Sequence, residues 1–241
     1  MLLQCKELTK SFGGVTALDG LTLTVGKGKI LGLIGPNGSG KTTFFNLVTG
    51  IYHPDSGTIT FNEKNITGLR PHCIARMGVG RTFQVPAPFS KMTVLENVMV
   101  GTFIHASSIR MAKEKAQEIL EVVRLGQKAD QQVLRVTLED RKRLELARAL
   151  ATEPTLLLLD EVMAGLTPTE VTAAVELIRT LQYQGRAMVI IEHVMDVILS
   201  LCDHVVVLDH GKKIAEDSPD RIVNDKEVIQ AYLGEHPSAR H

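Results

Sequence analysis

The sequence predicts an α/β fold: a mostly parallel sheet with helices on both faces, an antiparallel β subdomain at the N-terminus and an inserted α-helical subdomain over about 87–150. Three observations predict it. Short apolar runs separated by glycine turns fill the first 30 residues, strand patterns then alternate with helix patterns, and a block opened by Pro86 and Pro88 is helical in pattern throughout.

The elements follow in order. The turns at Gly13-Gly14 and Gly26 to Gly28 separate strands expected to pair antiparallel. Ile30 to Ile34 reads as a short strand, GPNGSG as a loop, and Lys41 to Val48 as a helix. Thr58 to Phe61 and Val79 to Phe83 suit further strands. Met111 to Arg124 carries charges on one face and Ile119, Leu120 and Val123 on the other. Leu138 to Ala151 is rich in good helix formers. After Pro154 come strands at Leu156 to Leu159, Ala187 to Ile191 and Val205 to Leu208. Helices are expected near 168–182, 195–201 and 226–233. The catalytic core is therefore expected over about 1–86 and 151–241.

Composition narrows the function. The 241 residues suit one large domain, or one domain with a subdomain, and 44% of them are hydrophobic. Lys plus Arg equals Asp plus Glu, 27 each, which argues against a dedicated nucleic-acid binder. Cys5, Cys73 and Cys202 form no CxxC pair and read as reduced thiols. The opening MLLQCKELTKSF is too short in its apolar stretch, and too charged, for a signal peptide. No run approaches the roughly 18 apolar residues of a spanning helix. A soluble chain acting on membranes only through partners is expected.

The strongest motif is Gly35-Pro36-Asn37-Gly38-Ser39-Gly40-Lys41-Thr42, followed by Thr43. It matches G-x-x-x-x-G-K-[ST] between a strand and a helix. Glycines let the loop aim backbone N–H groups at phosphate oxygens, and the helix offers its positive end to the same anion. Lys41 is the point charge for β- and γ-phosphates, and the Thr42 hydroxyl suits Mg²⁺. A second motif, Leu156 to Glu161, is a buried strand ending in two acids. Asp160 would hold Mg²⁺ through water, and Glu161 would polarise the attacking water as general base.

Three single residues gain meaning only beside these motifs. His193 follows a core strand, where a lone histidine is ordinarily structural; behind a phosphate site it could reach the γ-phosphate. Gln84 stands between core and helical block, where its amide could sense both metal and γ-phosphate. Phe12, otherwise a core or edge phenylalanine, could stack on adenine.

In this order the motifs resemble the nucleotide-binding domains of ABC transporters over essentially the whole chain. Phe12 falls at the adenine-stacking position, Gly35 to Thr42 at Walker A, Gln84 at the Q-loop, Leu156 to Glu161 at Walker B with its catalytic glutamate, and His193 at the switch histidine. The segment ARAL, Ala147 to Leu150, also matches. The resemblance implies a RecA-like P-loop NTPase core, ATP and Mg²⁺ as cofactors, and hydrolysis coupled to transport. Within the family, SFGGVTALDGLTLTV, RTFQ, MTVLENVMVG, AGLTPTE, IIEHVMD and VIQAYLGE look like the branched-chain amino-acid importers. Related lipopolysaccharide-export ATPases share the SFGG and YLGE features. Implied partners are transmembrane permeases, a second ATP-binding subunit and, indirectly, an extracytoplasmic solute-binding protein. The implied place is the cytoplasmic face of the inner membrane.

One departure matters. The family's LSGGQ signature, which completes the ATP site of the other subunit, reads here Val136-Thr137-Leu138-Glu139-Asp140. Both glycines are gone. Thr137 can still cap the helix, with Asp140 completing a box-like pattern. Glu139 brings a negative charge toward the γ-phosphate; at about 5 Å and an effective dielectric near 20 the repulsion is roughly 3 kcal/mol. ATP-driven closure is then expected to weaken unless Glu139 turns away or a neighbour such as Arg141 neutralises it. The D-loop reads Ala164-Gly165-Leu166-Thr167 instead of SALD, and Val162 replaces a common proline. These changes predict pairing with a different ATP-binding chain that carries an intact signature. Two other classes compete: a non-transport ABC ATPase, which would usually carry coiled-coil insertions or tandem domains, and a weakly catalytic regulatory subunit.

Overall fold

A computed structural model describes residues 1–233; Gly234 and Glu235 of the YLGE motif, and the rest of the expected core beyond them, lie outside the described residues. In chain order the elements are β1 (Leu3–Phe12), β2 (Val15–Val25), β3 (Ile30–Ile34), α1 (Lys41–Val48), β4 (Ser56–Phe61), β5 (Lys64–Asn65), α2 (Pro71–Arg76) and β6 (Val79–Arg81). Then come α3 (Val94–Thr102), α4 (Ile109–Val122), α5 (Leu138–Leu150), β7 (Leu156–Asp160), α6 (Pro168–Tyr183) and β8 (Ala187–Ile191). The last are α7 (Met195–Leu201), β9 (His204–Asp209), β10 (Lys212–Asp217), α8 (Pro219–Ile222) and α9 (Lys226–Leu233). The chain divides into two compact units, Met1–Ile74 with the segment from Ala187 onward, and Ala75–Arg186. The helical block expected over 87–150 lies inside the second unit.

The first unit holds two sheets. One is antiparallel, in the order β2-β1-β4-β5, as the glycine turns foretell. In the other, β3 runs parallel to both β8 and β9, and β10 closes antiparallel on β9. Every residue of β3 and of β8 is buried. Such continuous apolar runs mark strands covered on both faces. Phe44 and Phe45 bury α1, so the helix that follows the glycine loop is anchored by two large rings. The hairpin joining β9 to β10 turns at His210 and Gly211, both with positive φ.

In the second unit β6 and β7 pair in parallel, with Val79 opposite Leu156 and Arg81 opposite Leu158. The strand expected to reach Phe83 ends at Arg81. Beyond it, Thr82 donates its N–H to the Leu158 carbonyl at 2.9 Å, while Phe83 and Gln84 leave the pairing and are exposed. Helices α3, α5 and α6 each start on a threonine and close a full capping box; α4 starts on Ser108. Asn97, buried on α3, fixes the preceding loop. Its carbonyl accepts the Phe89 N–H, and its amide donates to the Phe89 and Thr93 carbonyls.

Candidate functional site

The phosphate loop belongs to the first unit. Gly35, Gly38 and Gly40 have φ of +143°, +77° and +107°. A Cβ at Gly35 would collide with the Leu208 carbonyl, and one at Gly40 with the Ala17 carbonyl. Only glycine meets both the dihedral and the spacing. Asn37 and Gly38 are exposed at the crest, whereas Pro36 and Ser39 are buried beneath. Lys41 is 6% exposed, and its ammonium donates to the carbonyls of Gly35 and Pro36, each at 2.7 Å, and to Ser39 Oγ at 3.3 Å. The Gly35 N–H is held from the far end of the chain by the Tyr232 hydroxyl at 2.8 Å.

The start of α1 fits an anion. Its N-cap is Gly40, which offers no capping side chain, and its first turn holds no acid. Phe44 is the first residue to bond back, to the Gly40 carbonyl. The N–H groups of Lys41, Thr42 and Thr43 therefore precede the helix's own acceptors. Thr42 is exposed and Thr43 half-buried. In the same unit Phe12 is 41% exposed, edge-on to Tyr52 at 5.1 Å with the Lys10 ammonium 5.4 Å from its ring. His193 is exposed just past β8.

The paired acids belong to the second unit. Asp160 ends β7 buried, and its Oδ2 accepts from Arg81 Nη2 at 3.1 Å. Burial pulls the Arg81 guanidinium below its ordinary value, while Asp160 pulls it back up. The Asp160 N–H donates to the Thr82 hydroxyl at 3.0 Å. Glu161 has φ of +48°, a conformation uncommon for a residue with a side chain and a recurrent one at functional positions. Gln84 Nε2 donates to its Oε2 at 2.7 Å, and Lys142 Nζ to its carbonyl at 3.0 Å. The structure thus brings Gln84 and Glu161 together, as it does Thr82 and Asp160.

The altered signature is closed on itself. Thr137 Oγ1 accepts the Asp140 N–H at 3.2 Å and Asp140 Oδ2 accepts the Thr137 N–H at 3.0 Å. Lys128 Nζ adds a 2.6 Å ion pair to the same carboxylate. Burial alone would raise the Asp140 carboxyl, but Lys128 and Thr137 outweigh it and hold it below its ordinary value. Glu139 is neutralised by a neighbour, Arg143 rather than Arg141, whose Nη2 donates to the Leu134 carbonyl at 3.4 Å. Residues 139 and 143 share a helix face, and 139 and 141 do not. Val136 is buried and Leu138 is 53% exposed.

Three residues escaped the sequence reading. Arg81 is the cation paired with the Asp160 carboxylate, and Lys142 donates to the Glu161 backbone carbonyl. Glu145 is buried on α5; burial pushes its carboxyl up, and its partner Arg148 opposes the shift. Arg148 also donates to the Ala87 carbonyl at 3.1 Å and covers the Phe89 ring. A buried Glu and an Arg three apart on one helix face were the available signal.

The family model described as ABC transporter matches residues 18–164. A second, described as branched-chain amino acid ATP-binding cassette transporter, matches residues 212–237. The chain is 39% identical to the Escherichia coli high-affinity branched-chain amino acid transport ATP-binding protein LivG, over 97% of this chain and 98% of the relative. It is 39% identical to the corresponding Pseudomonas aeruginosa protein BraF, with the same coverage. The crystal structure of the ADP conformation of MJ1267, an ATP-binding cassette of an ABC transporter, superposes with a TM-score of 0.88 at 34% identity, covering 97% of this chain and 99% of that one.

Proposed function

This chain belongs to the ABC transporter family as an ATP-binding, ATP-hydrolysing subunit with a P-loop NTPase fold, and from that premise we propose that it powers import of branched-chain amino acids or related small amides. The observation that carries the nucleotide site is the glycine loop with the buried Lys41 at the uncapped start of α1. Lys41 and the N–H groups of Lys41 to Thr43 bind the phosphates, and Phe12 stacks on the adenine. Glu161 polarises the attacking water, oriented by the Gln84 amide; His193 faces the γ-phosphate.

The acids present fit Mg²⁺. Among the described residues no cluster of three or more His, Cys, Asp or Glu forms a ready-made metal cage. Mg²⁺ at nucleotide sites is instead held by one or two protein oxygens together with phosphates and water. The Thr42 hydroxyl and the Asp160 carboxylate would be those oxygens. The metal would supply charge neutralisation at the phosphates.

ABC ATP-binding subunits work with transmembrane permeases, and no helix among the described residues is long and apolar enough to cross a membrane. Phe83, Val85, Phe89 and Met92, exposed around Gln84, supply the apolar surface for permease contact. The chain then sits at the cytoplasmic face of the inner membrane, served by an extracytoplasmic binding protein. The closed signature favours a different ATP-binding chain as its dimer partner.

The test is sedimentation of Glu161→Gln alone and with a co-expressed ATP-binding partner, with and without MgATP. ATP-dependent dimers only with the partner are expected. A stable homodimer with MgATP would sink the heterodimer reading. Uptake by proteoliposomes of the whole complex, driven by ATP and saturated by leucine or valine, tests the cargo.

A further inference from the structure

We propose that Arg81 is a positioning residue for the ATPase reaction, an internal counter-ion for which a divalent metal has to compete to reach the Asp160 carboxylate. The inference rests on the ATPase reading above. It starts from the contact between Arg81 Nη2 and Asp160 Oδ2, 3.1 Å long, with the two side chains only 7% and 4% exposed. A carboxylate this buried needs a cation or donors around it, and a guanidinium supplies both. Arg81 reaches it because β6 and β7 are parallel, with Arg81 opposite Leu158.

The arrangement masks the negative charge of Asp160. A masked Asp160 repels nucleotide phosphates less before metal arrives. The same masking penalises the metal, which meets a carboxylate already shared with a positive charge. Arg81 therefore narrows the difference between metal-free and metal-bound nucleotide affinity.

The contact is also placed to report on the metal. The guanidinium lies 4.9 Å from the Phe83 ring, next in the chain to Gln84. Thr82 ties to the Leu158 carbonyl and the Asp160 N–H, and Gln84 ties to Glu161. Arg81, Thr82 and Gln84 are thus strapped to Leu158, Asp160 and Glu161 at successive points. Metal that weakens the first strap acts on the stretch that ends in Gln84.

The experiment compares the full-length chain with Arg81→Gln. Metal-free affinity is read from ADP titrations in EDTA. Metal affinity is read by Mn²⁺ electron paramagnetic resonance at saturating ADP. Arg81→Gln is expected to weaken ADP binding in EDTA and to tighten Mn²⁺, each by about tenfold. Opposite signs are the diagnostic, since damage to the fold weakens both. Two unchanged constants, or two that move together, overturn the proposal. In an Asp160→Asn background the Arg81→Gln effects should vanish, and effects that persist overturn it equally.

If Arg81→Gln does not fold, the wild-type chain carries the test. The Arg81 side-chain N–H resonances, held by Asp160 with ADP alone, should shift on adding Mg²⁺; unchanged resonances overturn the proposal. A wild-type chain that binds no ADP under any condition sinks the ATPase reading itself. ADP binding without the opposed signs sinks only the role of Arg81.

Discussion

Two helix starts in this molecule receive opposite treatment. At α1 the cap is a bare glycine, no acid follows, and Phe44 is the first residue to bond back to the cap carbonyl. At α5 the cap is Thr137, Glu139 and Asp140 fill the first turn, and a capping box takes up the Thr137 and Asp140 N–H groups. Both ends carry the same partial positive charge from the helix dipole. What differs is who satisfies it. The first is left for an anion from outside, and the second is satisfied by the chain's own carboxylates. In this family the start of the signature helix ordinarily serves a nucleotide too. Thr137 keeps the cap, which contributes about 1 kcal/mol to its helix, while Leu138 and Glu139 stand in place of glycines that would cost about that much each inside a helix.

The contrast can be broken from either side. Closing the open end should have the largest effect. Thr43→Asp places a carboxylate three residues past the Gly40 cap. A charge about 5 Å from the phosphates, at an effective dielectric near 20, costs roughly 3 kcal/mol, so ADP affinity should fall more than 100-fold. Thermal stability should hold, because an acid in the first turn suits the dipole. Isothermal titration with a parallel melt checks both halves, and retained ADP binding would contradict the anion-site assignment.

Opening the closed end comes next. Leu138→Gly with Glu139→Gly in the Glu161→Gln chain removes the charge and the exposed side chain from the start of α5. A self-dimer dependent on MgATP should appear in sedimentation. Its absence would mean that Asp140 or the loop after β7 also bars self-pairing.

The smallest effect sharpens the energetic side. Asp140→Ala should destabilise the chain by about 1–2 kcal/mol through loss of the cap. The folded carboxyl lies below its ordinary 3.8. Its contribution is therefore full above that value and lost as pH falls through the lower folded one. Denaturant melts of wild type and variant should stay separated near neutrality and converge in strong acid.

Much of this was legible in the residues. The loop Gly35 to Thr42 declared itself because backbone approach to phosphate leaves few alternatives to glycine. The cap at Thr137 was legible because capping is local, three residues long. The antiparallel start followed from its glycine turns. What escaped did so for different reasons. Arg81 and Asp160 are 79 positions apart, and only the parallel pairing of β6 with β7 makes them neighbours. The pairing of Glu139 with Arg143 went unnamed although helical spacing favours 143 over 141. β10 was missed for a third reason. Its sequence, KKIAED, is an edge strand defended by charge and carries no apolar alternation. The end of β6 was overestimated because Thr82 keeps one ladder bond while its side chain already serves Asp160.

The bond between the Gly35 N–H and the Tyr232 hydroxyl spans 197 positions. A ribosome adding roughly 5–20 residues per second needs about 10–40 s to travel that distance. Throughout that interval the phosphate loop has been made but lacks one of its supports. A nascent chain therefore finishes its nucleotide pocket only when α9 emerges. Translation itself schedules the moment at which this motor can first grip its fuel.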